Sequence, residues 1–275
     1  MAHSVKHEDY GFLCRVLHRE AGISLGDDKK YLVEARLGEL CRTMGVGSLD
    51  QLVSRVREGQ DPTTLKLVVE AMTTNETSFF RDQAPFEALR DRIIPGMLTA
   101  RAATRRLRIW SAACSTGQEP YSLAITLLDH FPQLASWDVS ILATDLAEQK
   151  VLERAQQGRF TQHEVNRGLP ARSLVKHFEQ RDDAWFVKEP TRRLVKFQKV
   201  NLLDIPRWLG EFDLVLCRNV LIYFDVDTKQ KVLGRIHSHL AKDGCLMIGA
   251  SEILFGVTES FRRETYGRTS YYLRD

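Results

Sequence analysis

Three polar residues stand behind short apolar runs in the second half of the chain. Asp145 follows VSILAT, Asn219 closely follows DLVLC, and Glu119 closes the small-residue stretch SAACSTGQE that follows LRIW. In an open parallel sheet, ligands bind beyond the carboxyl ends of the strands, where the strand order reverses. If these runs are parallel strands, their polar residues meet at one edge of the sheet and form a ligand site there.

Asp145 has two interpretations. A carboxylate can accept hydrogen bonds from two hydroxyl groups, so an acid at the end of a strand suits a ribose diol. Asp is also a preferred helix N-cap, and the helical stretch LAEQKVLERAQQ follows it directly. The position of Asp145 alone leaves both interpretations open.

The stretch from Ser111 to Gly117 occupies the place of a nucleotide-binding loop but contains one glycine. Its small side chains would let a ligand approach the backbone closely. Glu119 would compete with an anion at the helix start, and the loop has no basic residue, so a cofactor without phosphates is favoured over a dinucleotide. Alternatively, Glu119 pairs with Thr116 in a T-x-x-E capping box, or caps the helix itself because Pro120 follows.

A second polar cluster lies in AMTTNETSFFRD. Its candidate ligand contacts are Asn75, Thr77 and Arg81, which are interleaved with Phe79 and Phe80. The alternative is the end of one helix followed by the start of another, since Thr and Asn are common capping residues. Composition alone does not decide between the two.

From Leu107 onward, strand-like segments alternate with helical ones, which predicts a largely parallel sheet covered by helices on both faces. The predicted strands are LRIW (107–110), VSILAT (139–144), LVKFQKV (194–200), DLVLC (213–217), CLMIGA (245–250) and TSYYLR (269–274). Helices are predicted at about 119–130, 146–157 and 226–240. A small hairpin around a Pro-Thr-Arg-Arg turn is predicted as an insertion within about 158–200.

Residues 1–72 are predicted to form a separate all-helical domain. Apolar residues recur at helical spacing in four stretches, which the breakers AGISLGDDKK, MGVGSLD and EGQDPTT separate. Residues 73–106 would link this domain to a sheet domain at 107–275, with a helix from about Pro85.

The composition argues against several classes of protein. The five cysteines are odd in number and form no CxxC pair, and the histidines lack metal-ligand spacing, so neither a metal site nor a disulfide framework is expected. No run of about 18 apolar residues is present, which argues against membrane insertion. The chain start lacks the plan of a signal peptide. The scattered cysteines favour a reducing, cytoplasmic environment. A mildly basic pI of 8.6, without a basic face of interleaved aromatics, argues against nucleic acid as partner.

Five segments, in this order, resemble the chemotaxis receptor glutamate O-methyltransferases, the CheR family. They are MTTNETSFFRD, WSAACSTGQEPYSLA, ILATDLAEQKVLERAQQGRF, VNLLD and FDLVLCRNVLIYFD. The resemblance implies an α/β fold: a Rossmann-like class I SAM-dependent methyltransferase domain with a small inserted antiparallel β-subdomain, preceded by an all-α domain. It implies methyl transfer from S-adenosyl-L-methionine to receptor glutamates, with S-adenosyl-L-homocysteine as product, for adaptation in bacterial chemotaxis.

The resemblance also implies roles for individual residues. The cofactor would be bound by Asn75, Thr77, Arg81, Glu119, Asp145, Asn201, Leu202, Asn219 and Val220. Tyr223 would lie near the transferring methyl group. In the family, an arginine before the first strand of the sheet orients the substrate carboxylate; Arg101 is taken as this residue, with Arg105 and Arg106 as alternatives.

The expected partners are the helical cytoplasmic domains of chemoreceptors, bound by a monomer. Residues 151–200 hold 11 basic and 6 acidic residues, so this segment is expected to face an acidic receptor. Some family members grip a tether peptide at a receptor C-terminus with a glycine-containing hairpin. Residues 169–209 contain no glycine, so tether binding is not expected. The residues alone also allow a methyltransferase for small molecules or nucleic acid, or a binding module without catalysis.

Overall fold

The computed structural model describes residues 5–59 and 61–275, apart from the side chains at 149 and 150. The predicted domain of residues 1–72 contains residues 1–4 and 60, which lie outside the described residues. The chain divides into two units. The first runs to Thr74 and includes Tyr223–Thr228, and the second comprises Asn75–Ile222 and Lys229–Asp275.

The first unit contains the four predicted helices, which confirms an all-α N-terminal region. They are α1 (His7–Ala21), α2 (Lys30–Met44), α3 (Leu49–Glu58) and α4 (Pro62–Met72). Local sequence sets where the last two begin. The Ser48 hydroxyl accepts a hydrogen bond from the N–H of Gln51 at 3.2 Å, and an Asp61 carboxylate oxygen accepts one from Thr63 at 2.9 Å.

The core of this unit is built from the apolar stripe of each helix. Leu13, Leu17, Val33, Leu37 and Leu52 are fully buried. Their helical spacing brings them onto one face of each helix, which then packs against its neighbours. Burial of this kind contributes about 1.5–3 kcal/mol for each large aliphatic side chain.

The second unit is built on a seven-stranded sheet, and its order along the sheet is β6-β2-β1-β7-β8-β10-β9. The strands of this sheet are β1 (Arg106–Ala112), β2 (Asp138–Asp145), β6 (Val195–Lys199), β7 (Phe212–Cys217), β8 (Leu240–Ile248), β9 (Phe261–Tyr266) and β10 (Thr269–Arg274). The neighbouring strands from β6 to β8 pair in parallel, whereas β10 runs antiparallel to both β8 and β9.

This order reverses direction between β1 and β7. From β1 the chain continues outward through β2 and β6, and then returns to place β7 and β8 on the other side. The order is that of a doubly wound sheet. Its last two strands, β9 and β10, form an antiparallel hairpin, and β10 rather than β9 pairs with β8. The predicted fold class is therefore confirmed, and a ligand site is expected beyond the carboxyl ends of β1 and β7.

Short helices connect the strands of the second unit. They are α5 (Ala84–Ala88), α6 (Ile94–Ala100), α7 (Gln118–His130), α8 (Glu153–Gln157), α9 (Gln162–Asn166), α10 (Ala171–His177), α11 (Glu189–Arg192) and α12 (Val226–His239), the last of which starts in the first unit. A π-helical turn at Leu89–Ile93 joins α5 to α6, and another at Glu148–Leu152 precedes α8. The helix predicted at 146–157 is therefore partly π-helical.

The predicted hairpin is present as a small antiparallel sheet, but its turn was misplaced. Strands β3 (Arg159–Thr161), β4 (Phe178–Arg181) and β5 (Ala184–Val187) pair in the order β3-β5-β4. The turn lies at Asp182, whose φ of 51° suits an Asp residue. The Pro-Thr-Arg-Arg stretch instead forms α11, because Pro190 fits the first turn of a helix.

Strand β9 was missed by the sequence patterns. Its residues FRRETY are mostly charged, and β9 occupies the edge of the sheet. Charged residues on an edge strand discourage pairing with other chains, so such a strand lacks the apolar signature of a central one. Among the described residues, no helix combines the length and apolar character that a membrane crossing requires.

Candidate active site

The loop after β1 turns sharply through left-handed backbone. Ala113, Ser115 and Gly117 have φ values of 57°, 50° and 95°. The Cys114 N–H donates to the Thr144 carbonyl at 2.9 Å, which fixes the loop against the end of β2. Small residues suit such a loop, because bulky or β-branched side chains disfavour positive φ.

Glu119 does not cap α7, so both capping interpretations were wrong. The N-cap residue is Gly117, and no side chain caps the helix. The Thr116 hydroxyl, the expected partner in a capping box, donates instead to Oε1 of Gln118 at 2.7 Å. The Glu119 carboxylate is therefore directed elsewhere.

Glu119 links the end of β1 to the end of β7. Its Oε1 accepts a hydrogen bond from Ser111 Oγ at 2.8 Å, and its Oε2 accepts one from Arg218 Nη1 at 3.0 Å. The three residues span the point where the strand order reverses. An ionised carboxylate offers about four lone-pair sites, so these two bonds leave acceptor capacity for a ligand.

Arg218 was missed as a site residue, although it follows β7 immediately. Its side chain is 1% exposed. The other terminal nitrogen, Nη2, donates to the Arg81 carbonyl at 2.9 Å and to Asp82 Oδ2 at 2.8 Å. A buried guanidinium requires such partners. Arg218 thus joins β7 to both α7 and the segment that carries Arg81; an arginine directly behind the apolar run LVLC was the available signal.

Asp145 holds two backbone segments rather than a helix start. Its Oδ2 accepts the N–H of Ser115 at 2.8 Å, and its Oδ1 accepts the N–H of Ala147 at 3.1 Å. The following helical turn has Ala147 as its N-cap residue, without a side-chain cap. The N-cap interpretation of Asp145 is therefore wrong, and its carboxylate is fixed beside the loop that follows β1.

The predicted second cluster lies against the same loop. Ser115 Oγ donates to the Asn75 carbonyl at 2.8 Å, and Arg81 Nη1 donates to the Glu76 carbonyl at 3.0 Å. Thr77 is half-buried between them in the chain. Asn75, Thr77 and Arg81 are thus part of the second unit, held to the end of β1.

The aromatic residues of this segment anchor it. Phe79 is fully buried and stacks edge-to-face with Phe160 and Phe178 of the small sheet. The Phe80 N–H donates to Ser122 Oγ on α7 at 2.9 Å. The phenylalanines hold the segment in place, and the carbonyl of Asn75, a few residues before them, contacts the loop.

Asn201 and Leu202 follow β6, whose end lies beside the end of β2 at Asp145. The Val200 N–H donates to the Asp145 carbonyl at 3.1 Å. Asn201 Oδ1 accepts the N–H of Leu203 at 3.0 Å, and Leu202 is buried. The structure therefore brings the ends of β6, β2, β1 and β7 to one edge, as the residue order predicted.

Asn219 adopts left-handed backbone, with φ of 59°. Its N–H donates to Glu252 Oε2 at 2.8 Å, and the same oxygen accepts the N–H of Gly249 at 2.5 Å. A Cβ atom at Gly249 would lie 2.7 Å from Asn219 Nδ2, so this glycine is required by the close approach. Glu252 was missed, because its sequence position beyond β8 gives no sign of contact with the β7 loop.

Val220 and Tyr223 continue the chain after Asn219. Val220 is half-buried, and Tyr223 ends the 3-10 helix Leu221–Tyr223. The Tyr223 carbonyl accepts a hydrogen bond from the N–H of Ser24 at 2.9 Å within the first unit. The backbone of Tyr223 is thereby fixed to the helical unit.

Arg101 is not part of this cluster. Its Nε donates to Asp213 Oδ1 at 2.7 Å, and its Nη2 pairs with Asp243 Oδ1 at 2.5 Å. Asp213 also accepts the N–H of Arg108, near the amino end of β1. The guanidinium is therefore committed to two carboxylates at the opposite edge of the sheet, which contradicts the expected role in orienting a substrate.

The charges of the site suit a cationic ligand without phosphates. Asp145 ends β2 and Glu119 lies in the first turn of α7, which follows the neighbouring strand β1, and the loop between Ser111 and Gly117 is neutral. The guanidinium of Arg218 is buried against the carboxylates of Asp82 and Glu119. Acceptor groups thus dominate where a dinucleotide would need donors. Within the described residues, no group of His, Cys, Asp and Glu side chains forms a metal site.

Comparisons with known proteins agree with this arrangement. Residues 75–269 match the family model "CheR methyltransferase, SAM binding domain", and residues 8–73 match "CheR methyltransferase, all-alpha domain". The chain is 42% identical over 265 residues to chemotaxis protein methyltransferase 1 of Pseudomonas aeruginosa, covering 94% of this chain and 95% of that protein. It is 41% identical to chemotaxis protein methyltransferase 1 of Vibrio cholerae, covering 94% of each.

Among solved structures, magnesium protoporphyrin IX methyltransferase (ChlM) from Synechocystis PCC 6803 with bound SAM is similar with a TM-score of 0.40 and 14% identity. The match covers 83% of this chain and 99% of that chain. The two family models together span both structural units, and the relatives match along nearly their whole length. The chain therefore belongs to the CheR methyltransferase family and contains its SAM-binding domain.

Proposed function

We propose that this protein transfers a methyl group from S-adenosylmethionine to glutamate side chains of chemoreceptors. The observation that carries the proposal is the convergence of Glu119, Asp145 and Asn219 at the switch point of the sheet. These residues belong to the segments that resemble the CheR family, and the relatives are named chemotaxis protein methyltransferases. When bound, the cofactor supplies an electrophilic methyl group on a sulfonium and leaves as S-adenosylhomocysteine.

The acidic residues would select this cofactor by charge and hydrogen bonding. Asp145, oriented by two backbone N–H groups, would accept hydrogen bonds from the ribose hydroxyls. Glu119, oriented by Ser111 and Arg218, would face the ammonium of the amino-acid end. Both side chains are fixed before the ligand arrives, so little side-chain entropy is lost on binding.

The remaining predicted contacts would surround the other parts of the cofactor. Arg81 would pair with its carboxylate, and Asn201 with Leu202 would flank the adenine. Asn75 and Thr77 are further expected contacts. Asn219 and Val220 would line the methionine part, with Tyr223 near the transferring methyl group. No metal is invoked in this scheme.

The substrate carboxylate needs no general base, because glutamate with a pKa of about 4.3 is ionised at neutral pH. Catalysis would then depend on holding the carboxylate oxygen in line with the methyl group, and on excluding water. Since Arg101 lies at the other edge of the sheet, the residue that orients this carboxylate is not that arginine.

The partner would be the helical cytoplasmic domain of a chemoreceptor, met by a monomeric enzyme in the cytoplasm. The basic segment 151–200 would attract the acidic receptor. Tether binding is not part of the proposal, because residues 169–209 contain no glycine. We also propose domain boundaries at residues 72 and 106, with the insertion at about 158–200.

The experiment is to incubate the protein with methyl-labelled S-adenosylmethionine and membranes that contain chemoreceptors. The expected product is labelled receptor whose label is released as methanol when the pH is raised, because carboxyl methyl esters hydrolyse in base. Membranes without receptors are the control. A label that survives base would contradict glutamate methylation, and the absence of label would contradict a methyltransferase acting on receptors.

A further inference from the structure

The segment after β8 displays two large apolar side chains to solvent. Ile253 is 64% exposed and Phe255 is 92% exposed. The residues that precede each of them, Glu252 and Leu254, are only 7% and 3% exposed. The alternation therefore buries one pair as an anchor and presents the other pair outward.

This segment is tied to the loop that carries Asn219. Glu252 Oε2 accepts the Asn219 N–H at 2.8 Å, and Oε1 accepts the Ile222 N–H at 3.3 Å. Ile222 is itself 47% exposed. Three exposed apolar side chains, Ile222, Ile253 and Phe255, thus lie on two segments that hydrogen bonds join, one of which carries Asn219 of the proposed site; we call them the apolar rim.

The segment that carries Ile253 and Phe255 has no exposed charged side chain. From Leu246 to Thr258 the only charged residue is Glu252, which is buried. A single exposed apolar residue is ordinary. A nearly fully exposed phenylalanine, with two isoleucines close to it along the same hydrogen-bonded loops, is typical of an interaction surface. A substrate small enough to enter the site completely would leave these apolar side chains exposed to solvent.

A helical substrate fits both features at once. On a helix surface, residues three or four apart are neighbours, with about 5–6 Å between their Cβ atoms. A helix that presents a glutamate to the site therefore brings apolar residues of the next turn onto the surface that borders the site. An amphipathic helix has such residues along one stripe.

We propose that the apolar rim docks the apolar stripe of the receptor helix that carries the methylated glutamate. The inference rests on the proposed function, and it assigns the rim to substrate binding rather than to cofactor binding. The rim contributes to the affinity for the receptor because its side chains leave water on contact.

The test uses Phe255→Ser and Ile253→Ser in the full chain, assayed with receptor-containing membranes and with a soluble receptor cytoplasmic fragment. Both side chains are exposed, so the variants are expected to fold. We expect KM for the receptor to rise about tenfold with either substrate, which is the effect of truncating one of the minority of interface residues that contribute measurably to binding. The kcat and the affinity for S-adenosylhomocysteine stay within about twofold, because the rim does not hold the cofactor.

Trp208→Ser is the matched control. Trp208 is 66% exposed, but it lies in the 3-10 helix Arg207–Leu209 before the amino end of β7. The KM of the Trp208→Ser variant for the receptor should equal that of the wild type.

Three results would overturn the inference while leaving the proposed function intact. They are an unchanged KM in both rim variants, an equal rise in KM in the control, and a defect seen with membranes but not with the soluble fragment. The last result would assign the rim to a lipid surface. Failure of the wild type to form base-labile esters would instead overturn the proposed function.

Discussion

Arg218 Nη1 donates to Glu119 Oε2 at 3.0 Å, and this ion pair joins the end of β7 to the start of α7 at the point where the sheet order reverses. The guanidinium is 1% exposed and the Glu119 side chain 12%. A site residue that would meet the cofactor is thus held by a buried cation. The same ion pair therefore stabilises the sheet unit and orients the Glu119 carboxylate in the site.

Removal of one partner of this pair should destabilise the sheet unit. Arg218→Met is expected to lower the free energy of unfolding by about 3 kcal/mol, because it leaves the buried carboxylate of Glu119 without its cation. Glu119→Gln should cost less, because Arg218 keeps its ion pair with Asp82. The double variant should lose less than the sum of the two. Urea titration followed by tryptophan fluorescence measures this, since all four tryptophans lie in the second unit. Strict additivity would show that the two residues do not interact.

Asp145→Ala should weaken cofactor binding. We expect the dissociation constant for S-adenosylhomocysteine to rise at least about tenfold, because a hydrogen-bond acceptor is lost and Ser115 loses its partner. Isothermal titration calorimetry measures the change. Asp138→Ala, at the exposed start of the same strand, is the control and should bind as the wild type does. Equal affinities for all three proteins would remove Asp145 from the site.

Glu252 should act on catalysis through Asn219. Glu252→Ala leaves the N–H groups of Asn219 and Gly249 without their acceptor, at a cost of about 1–3 kcal/mol each. Glu252→Gln retains one acceptor oxygen and should have a smaller effect on kcat. The ratio of the two kcat values is the readout, and Glu259→Ala at an exposed position is the control. Identical kcat values for both Glu252 variants and the wild type would exclude a positioning role.

Arg101→Met should affect stability rather than substrate binding. The variant leaves Asp213, which is 10% exposed as a side chain, without its cation. We expect a loss of about 3 kcal/mol in the free energy of unfolding, whereas KM for the receptor should not change. Arg106→Met, which removes only an exposed pair at 3.7 Å, should change neither quantity. A selective rise of KM in Arg101→Met would restore the substrate-orienting role.

The helical unit should contain an acid-sensitive contact. Hydrogen bonds from Thr228, and to a smaller extent from His18, lower the pKa of Asp225 from 3.8 to about 2. A carboxyl group with a lower pKa in the folded chain stabilises the fold above its unfolded pKa, and this contribution is lost as the pH falls through the folded value. Asp225 therefore stabilises the fold above about pH 4 and ceases to do so toward pH 2.

The measurement is the melting temperature by circular dichroism between pH 6 and pH 2.5. Asp225→Asn should show a smaller decrease over the acid range than the wild type, because it has no proton to gain at this position. Asp227→Asn, at an exposed position two residues further on, should follow the wild type. Parallel curves for Asp225→Asn and wild type would contradict the lowered pKa.

Much of the fold could be predicted because its signals are local. Apolar runs, breakers and their alternation predicted the four N-terminal helices and six of the strands in the large sheet. The hairpin turn was misplaced, since Asp182 and Pro190 both suit turns and only the pairing of β4 with β5 distinguishes them. Strand β9 carries its charges because it lies at an edge, and edge position is a property of the whole sheet.

The sequence by itself determined which polar residues follow the strands, and therefore that Glu119, Asp145 and Asn219 would meet at one edge. Only the tertiary structure decided what each side chain does there. Glu119 pairs with Arg218 across 99 residues of chain, and Asn219 is held by Glu252 across 33. Hydrogen bonds between residues so distant in the chain depend on strand order and backbone direction, which local composition does not encode.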